Sequence, residues 1–136
     1  MDLTTSMMIA ASGMRAESDR MRTVAQNLAN ADSTASTPGG DPYRRKVPTM
    51  TSEFDQELGA TMVKSGEPAP DQSDFHTKFD PGNPAADGKG YVKLPNVNPL
   101  VEIMDMREAQ RAYEADLNTL DAAKNMMSRT VDLLRS

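Results

Sequence analysis

Counting forward from Ile103 in alternating steps of three and four meets Met106, Gln110, Tyr113, Leu117, Leu120, Lys124, Met127, Val131 and Leu134. This is a narrow apolar seam at coiled-coil spacing, broken only by Gln110 and Lys124, and it predicts one long helix. Asn98-Pro99 supplies the start: the Asn side chain accepts from free first-turn amides, and Pro has the right φ for the first helical position. Glu102 and Asp105 then place negative charge near the positive end of the helix dipole. No Pro or Gly follows Pro99, so the predicted rod runs to the last residues and is about 55 Å long. The remaining faces carry Arg107, Glu108, Arg111, Glu114, Asp116, Asp121, Arg129, Asp132 and Arg135, a charged surface suited to water.

A second seam occupies the other end of the chain. Leu3, Met7, Ala10, Met14, Glu17, Met21, Val24 and Leu28 recur at the same spacing and predict a helix over residues 3–30. Glu17 is its only charged interruption, and Gly13 in its interior costs about 1 kcal/mol relative to Ala. Asn30-Ala31-Asp32-Ser33 changes to turn chemistry and ends it.

Between the seams the composition shifts. All nine prolines lie between Pro38 and Pro99, and seven of the eight glycines between Gly39 and Gly90, which confines long helices to the two ends. Tyr43–Met50 is expected to form a short edge strand, limited by Pro48. Phe54–Val63 has apolar residues at helical spacing, so it fits either a short helix or a strand interrupted at Gly59. Residues 66–90 are expected to be loop, followed by a turn at Asp87-Gly88 and a strand over Tyr91–Leu94 that Pro95 ends. The expected fold is mainly α. Two long terminal helices, in segments 1–31 and 98–136, pack as an antiparallel coiled coil, with a small loop-rich, partly β insert over 32–97.

Composition narrows the chemistry. The chain of 136 residues has a net charge of -5, which gives no electrostatic reason to bind nucleic acid, and it has no Cys, which removes disulfides and thiolate sites. The single histidine, His76, has no recognisable catalytic partner. Asp80–Gly88 lacks the ligand spacing of a calcium loop, and Gly88-Lys89-Gly90 lacks the rest of a phosphate-binding fingerprint. Arg44-Arg45-Lys46 is too short a basic run to indicate nucleic acid. No enzyme activity, cofactor or metal is expected. The apolar run Met7–Ala11 is too short for a secretory signal core or a membrane span, so the first 30 residues are expected to stay in the working protein, with no membrane insertion.

What remains is assembly. Aromatic content is 4% with no Trp, so a single chain buries a thin core. Nine of the eleven methionines lie in residues 1–21 or 104–127, and flexible Met side chains suit both a helix core and an adaptable interface. A two-helix pair leaves apolar surface uncovered, so further helices must come from other chains. The expected assembly interface is Leu3, Met7, Met14, Met21, Val24, Leu28, Ile103, Met106, Tyr113, Leu117, Leu120, Met127, Val131 and Leu134. Head-to-tail contacts that do not close would give a helical filament or tube. A closed complex made by a soluble helical-hairpin adaptor or export chaperone is the alternative.

The run Val24-Ala25-Gln26-Asn27-Leu28-Ala29-Asn30-Ala31-Asp32-Ser33 resembles the Asn-Leu-Ala-Asn signature of bacterial flagellar rod and hook proteins. Tyr43-Arg44 and the stretch from Asp80-Pro81 through Gly90-Tyr91 to Pro95-Asn96-Val97 look like those of the proximal rod, as do Ala112–Leu117 and Ala122–Met127 in the last helix. The resemblance is weakest over residues 51–79. It implies a structural subunit of the proximal rod of the flagellar basal body, a torque-transmitting drive shaft in the periplasm that encloses the export channel. Its implied partners are copies of itself, other rod proteins, and the flagellar type III export apparatus, which takes it without a cleaved signal peptide. In that role Asn27 and Asn30 would cap or hydrogen-bond at the turn leaving the first helix, and a purely local helix stop explains them as well.

Overall fold

A computed structural model describes residues 2–136. Helix α1 spans Leu3–Ala29 and helix α2 Pro99–Arg135. Both begin on a cap. The Asp2 carboxylate accepts the Thr5 N–H at 2.7 Å, a bond that holds its pKa below the ordinary value, and the Asn98 side chain accepts the Leu100 N–H at 3.1 Å. At the end of α1 the Asn30 side-chain amide turns back to donate to the Gln26 carbonyl at 2.8 Å, adding to the Asn30 N–H that the same carbonyl accepts at 3.2 Å.

Six strands lie between the helices: β1 (Lys46–Val47), β2 (Met50–Asp55), β3 (Ala60–Ser65), β4 (Ala69–Pro70), β5 (His76–Phe79) and β6 (Tyr91–Leu94). They form three separate antiparallel pairs, β1 with β4, β2 with β3, and β5 with β6. The fold is therefore mainly helical with a partly β insert.

The expected strand over Tyr43–Met50 is shorter than its pattern, pairing only at Lys46–Val47 before Pro48. For Phe54–Val63 the hairpin wins over the helix. Asp55 accepts the Glu57 and Leu58 N–H groups at 2.9 and 3.1 Å, and Gly59 takes φ +61°, which closes the turn between β2 and β3. The expected loop over 66–90 is corrected: it contains β4 and β5. All four residues of β5 are exposed, so no alternation marked the strand, and backbone pairing with β6 holds it instead. Phe79 meets Tyr91 edge-on across that pair, with centroids 5.3 Å apart.

The chain forms two compact units. The first comprises Met1–Met21, Thr49–Glu67 and Arg107–Ser136; the second comprises Arg22–Pro48 and Pro68–Met106. In the first, the buried apolar residues are all alanines: Ala10, Ala16, Ala60, Ala109 and Ala123. A Cβ at Gly13 would fall on the Asp116 carboxylate, so α1 and α2 approach closely there because the glycine has no side chain. Two α1 turns further on, Arg20 reaches Glu108 at 3.4 Å. The β2–β3 hairpin is fixed to α1 by two hydroxyls. Ser12 Oγ accepts the Val63 N–H at 3.2 Å, and Ser65 Oγ donates to Asp19 at 2.5 Å. In the second unit the core is Val24, Ala85, Val92, Pro95 and Val97 around buried Asn27, Asn96 and Glu102.

The covered face of α2 corrects the position of its seam. Met106, Tyr113, Leu120 and Met127 are partly covered as the spacing predicts, but the intervening inward positions are Glu102, Ala109, Asp116 and Ala123. Each lies one residue before the expected Ile103, Gln110, Leu117 and Lys124, all of which are exposed. Alanine at 109 and 123 lets the backbone come near its neighbours while Gln110 and Lys124 keep their polar ends in water.

Candidate functional site

The second unit holds a cluster of polar side chains built around buried Asn27, Asn96 and Glu102. Asn27, on the last turn of α1, and Glu102, on the first turn of α2, are both fully buried. Asn27 Oδ1 accepts the Tyr43 hydroxyl at 2.8 Å and the Lys46 N–H at 3.0 Å. Its Nδ2 donates to the Lys46 carbonyl at 2.8 Å and to Glu102 Oε2 at 3.0 Å. Every hydrogen-bonding position of the amide is used, which is the condition for burying it cheaply.

Glu102 completes the pattern with its other oxygen, which accepts from Arg45 Nε. Arg45 reaches Asp71 at 3.3 Å and Asp105 at 3.7 Å as well. Burial alone would lower the Arg45 pKa, but the hydrogen bond and charge of Glu102, then of Asp71, outweigh it and hold the guanidinium above its ordinary value. Burial, then the Glu102 charge, pushes the Tyr43 phenol up. Asp71 is held low, first by the Ser73 N–H.

A second amide extends the cluster. Asn96 is buried; its Oδ1 accepts the Arg45 N–H at 2.8 Å, and its Nδ2 donates to the Asp71 carbonyl, the Ser73 carbonyl and Ser73 Oγ at 3.0–3.1 Å. Arg44 donates to the same two carbonyls and lies over the Phe75 ring at 4.2 Å. The arrangement holds four stretches together: the end of α1, residues 43–46, residues 71–75, and the start of α2. No nucleophile or free base faces an open cleft in it, and among the described residues no group of three or more His, Cys, Asp or Glu is placed to hold a metal ion. It is a polar clamp.

The motif residues fall into distinct roles. Asn27 and Asn96 are the two amides of the clamp. Pro95 and Val97 are buried beside it, while Leu28 is half-covered, Ala29 exposed, and Asn30 local to the helix end. Asp80 donates its N–H to the Gly90 carbonyl at 2.9 Å. Gly90 takes φ +84°, and a Cβ there would come within 2.9 Å of Phe79 and 3.2 Å of Pro81, so these residues make one tight corner before Tyr91. Of the expected interface residues, Val24 is buried. Leu3, Met7, Met14, Met21, Leu28, Met106, Tyr113, Leu120 and Met127 are half-covered, and Ile103, Leu117, Val131 and Leu134 are exposed. Arg45, Asp71 and Glu102 are the clamp residues that sequence reasoning missed. Arg45 stood in a basic run assigned to an edge strand, and Glu102 stood where a solvated dipole partner also fits.

Residues 7–35, which end just beyond Asn27 and Asn30, match the family described as flagella basal body rod protein. Residues 89–133, which include Asn96 and Glu102, match the C-terminal family of flagellar basal body rod FlgEFG proteins. A flagellar basal-body rod protein FlgC from Agrobacterium fabrum is 48% identical over 98% of this chain and 96% of its own length. This chain belongs to the FlgC family of flagellar basal-body rod proteins. FlgC proteins of Aquifex aeolicus and Bacillus subtilis are 39% and 36% identical, covering 97% and 94% of the chain and 97% and 95% of their own lengths. The FlgC family is structural and not enzymatic, in keeping with a clamp whose polar groups are consumed by one another.

Proposed function

We propose that this chain is a structural subunit of the proximal rod of the flagellar basal body, built into a helical, channel-enclosing drive shaft through its terminal segments. The observation that carries the reading is a contrast within one helix. The start of α2 is anchored through Glu102 to Asn27 and Arg45, whereas apolar Ile103, Leu117, Val131 and Leu134 on the same helix stay exposed. A subunit that transmits torque needs both a fixed internal joint and apolar surface for its neighbours.

In this reading segments 1–31 and 98–136 pair as an antiparallel coiled coil. The facing of Gly13 with Asp116 and of Arg20 with Glu108 supports it, since the α1 positions rise as the α2 positions fall. The expected interface, Leu3 through Leu134 apart from Val24, which is buried within the chain, closes against copies of this chain and other rod proteins, and residues 32–97 form the outer insert. The subunit travels through the flagellar type III export apparatus without a cleaved signal peptide and functions in the periplasmic part of the basal body. No described helix is long and apolar enough to cross a membrane.

The test is incorporation. An epitope-tagged full chain should appear in isolated basal bodies at the proximal rod by electron microscopy, and removal of residues 1–20 or 120–136 should abolish it. Normal rods containing either truncated chain would overturn the reading.

A further inference from the structure

The two longer ladders of the insert, β2–β3 and β5–β6, are each only two strands wide, so every strand in them has one edge without a strand partner. Two of those edges are used in other ways. On β3 the Val63 N–H turns away from β2 to Ser12 Oγ, and on β6 the Tyr91 carbonyl turns away from β5 to accept the Asp87 N–H at 2.9 Å. The outer edges of β2 and β5 remain, and Met50–Phe54 and the whole of β5 are exposed. Strand β2 is six residues long and has neither the Lys nor the Pro that discourages edge pairing.

The same two bonds fix which backbone groups face outward. Opposed residues of an antiparallel ladder alternate between pairs that exchange hydrogen bonds and pairs that do not. Val63 is opposite Ser52, and Tyr91 is opposite Phe79. Ser52 and Phe79 therefore direct their N–H and C=O groups to the open edges, as do Phe54 and Thr77 two positions along. An antiparallel pairing of β2 with β5 has to set these outward residues opposite one another. With Phe54 opposite Thr77 and Ser52 opposite Phe79, Glu53 falls opposite Lys78 and Asp55 opposite His76. Both are non-hydrogen-bonded pairs, in which side chains come closest and opposite charges attract. A shift of two residues one way sets Glu53 against Asp80; a shift the other way sets Lys78 against Thr51. On the other face Phe54 and Phe79, exposed by 61% and 62%, become diagonal neighbours within reach of each other. Glu53 already meets Lys64 at 3.4 Å, but both side chains are about two-thirds exposed, and such a pair holds the carboxylate weakly.

We propose that β5 of one chain adds to the free edge of β2 of a second copy, giving a four-stranded antiparallel sheet in the order β3-β2-β5-β6 with Glu53 of one copy opposite Lys78 of the other. Backbone hydrogen bonds supply the attachment, and the acidic and basic strands supply the register. The proposal rests on the rod-subunit reading only in that copies of this chain meet in the assembly, and it places that contact in the insert.

The absence of native Cys makes the pairing measurable in the full chain. Glu53→Cys and Lys78→Cys chains are mixed under mild oxidation. The expected product is a dimer containing one chain of each kind, about tenfold above the yield from Ser52→Cys mixed with Lys78→Cys, whose side chains lie on opposite faces of the sheet, since proximity raises the effective thiol concentration to the millimolar range. Thr51→Cys mixed with Lys78→Cys should also give less, and a higher yield there overturns the register. Mixed dimers no more abundant than in the opposite-face control overturn the proposal. So does a double variant, Glu53→Cys with Lys78→Cys, that closes within one chain while the mixed chains give no dimer. The two single variants are then co-expressed and probed in isolated basal bodies. Their presence there without the cross-link overturns the pairing and leaves the rod reading intact. A cross-link between purified chains, with the wild-type chain absent from basal bodies, overturns the rod reading and leaves the pairing intact.

Discussion

Asn27 and Glu102, 75 positions apart, meet where neither is accessible to water, the amide donating to the carboxylate at 3.0 Å. One end of α1 is thereby tied to one end of α2 through groups that tolerate no shift in register, since displacement by a single residue would leave a buried amide and a buried carboxylate without partners.

Replacing Asn27 should therefore cost more than its size suggests. Asn27→Ala removes four hydrogen bonds and strands the Tyr43 hydroxyl, both Lys46 backbone groups and one Glu102 oxygen. The expected loss is about 3 kcal/mol, at the upper end for buried unsatisfied groups, read as a lower urea midpoint with unchanged slope. Asn27→Asp should be worse than Asn27→Ala, because it sets a second carboxylate against Glu102 and withdraws the donor from the Lys46 carbonyl.

Arg45 neutralises Glu102 inside the second unit. Arg45→Ala should cost about 3–5 kcal/mol, the range for leaving one member of a buried pair uncompensated. Arg45→Met combined with Glu102→Met should recover part of that loss, and denaturant titration of the four-member cycle measures it. An Arg45→Ala chain as stable as wild type would show that the pair contributes nothing.

Gly13→Ala tests the close approach in the first unit. In an open helix interior the change stabilises by about 1 kcal/mol, but here the new methyl meets the Asp116 carboxylate. The substitution should lower the thermal midpoint in the wild-type background and raise it in Asp116→Ala, a reversal of sign that helix propensity alone does not produce.

Stability of the first unit should also depend on pH in an unusual direction. Burial raises the pKa of Glu17 and Asp116. For Glu17 the groups that face it are Arg20 on its own helix, whose charge opposes the shift, and Asp116 and Glu108 on α2, whose charges reinforce it. A carboxyl raised in the folded state binds its proton more tightly there than in the unfolded chain. Its contribution is unfavourable above the folded pKa and is relieved as pH falls towards the ordinary carboxylate range. Asp71 in the second unit is lowered and has the opposite sign, losing stability on acidification. Glu17→Gln should accordingly raise the thermal midpoint at pH 7 by a few degrees and shrink the wild-type gain between pH 7 and the mid-acid range. A midpoint unchanged by Glu17→Gln at pH 7 would contradict this.

The parts of the fold that depend on local chemistry were legible in the chain. Asn98-Pro99 does start α2, with the Asn98 side chain on the Leu100 N–H, and Asn30 does close α1. Tyr91–Leu94 is a strand ended by Pro95. The resemblance carried by Asn27–Asn30 and Asp80–Val97 led to the right family. Strand β5 was not legible, because His76, Thr77, Lys78 and Phe79 are all exposed and a strand with no buried face leaves no alternation to find.

By itself the sequence determined that two long amphipathic helices stand at the ends of the chain and where each begins, because caps, Pro placement and apolar spacing act within a few residues. Only the tertiary structure decided which stripe of α2 faces inward. A repeat of three and four steps leaves neighbouring positions nearly equivalent, and the choice of Ala109 and Ala123 over Gln110 and Lys124 depends on how near another backbone comes. The same holds for Asn27, Arg45 and Glu102. Each has an ordinary local explanation in the sequence, and the joint appears only when segments distant along the chain bring a half-buried guanidinium to an amide and a carboxylate that water cannot reach.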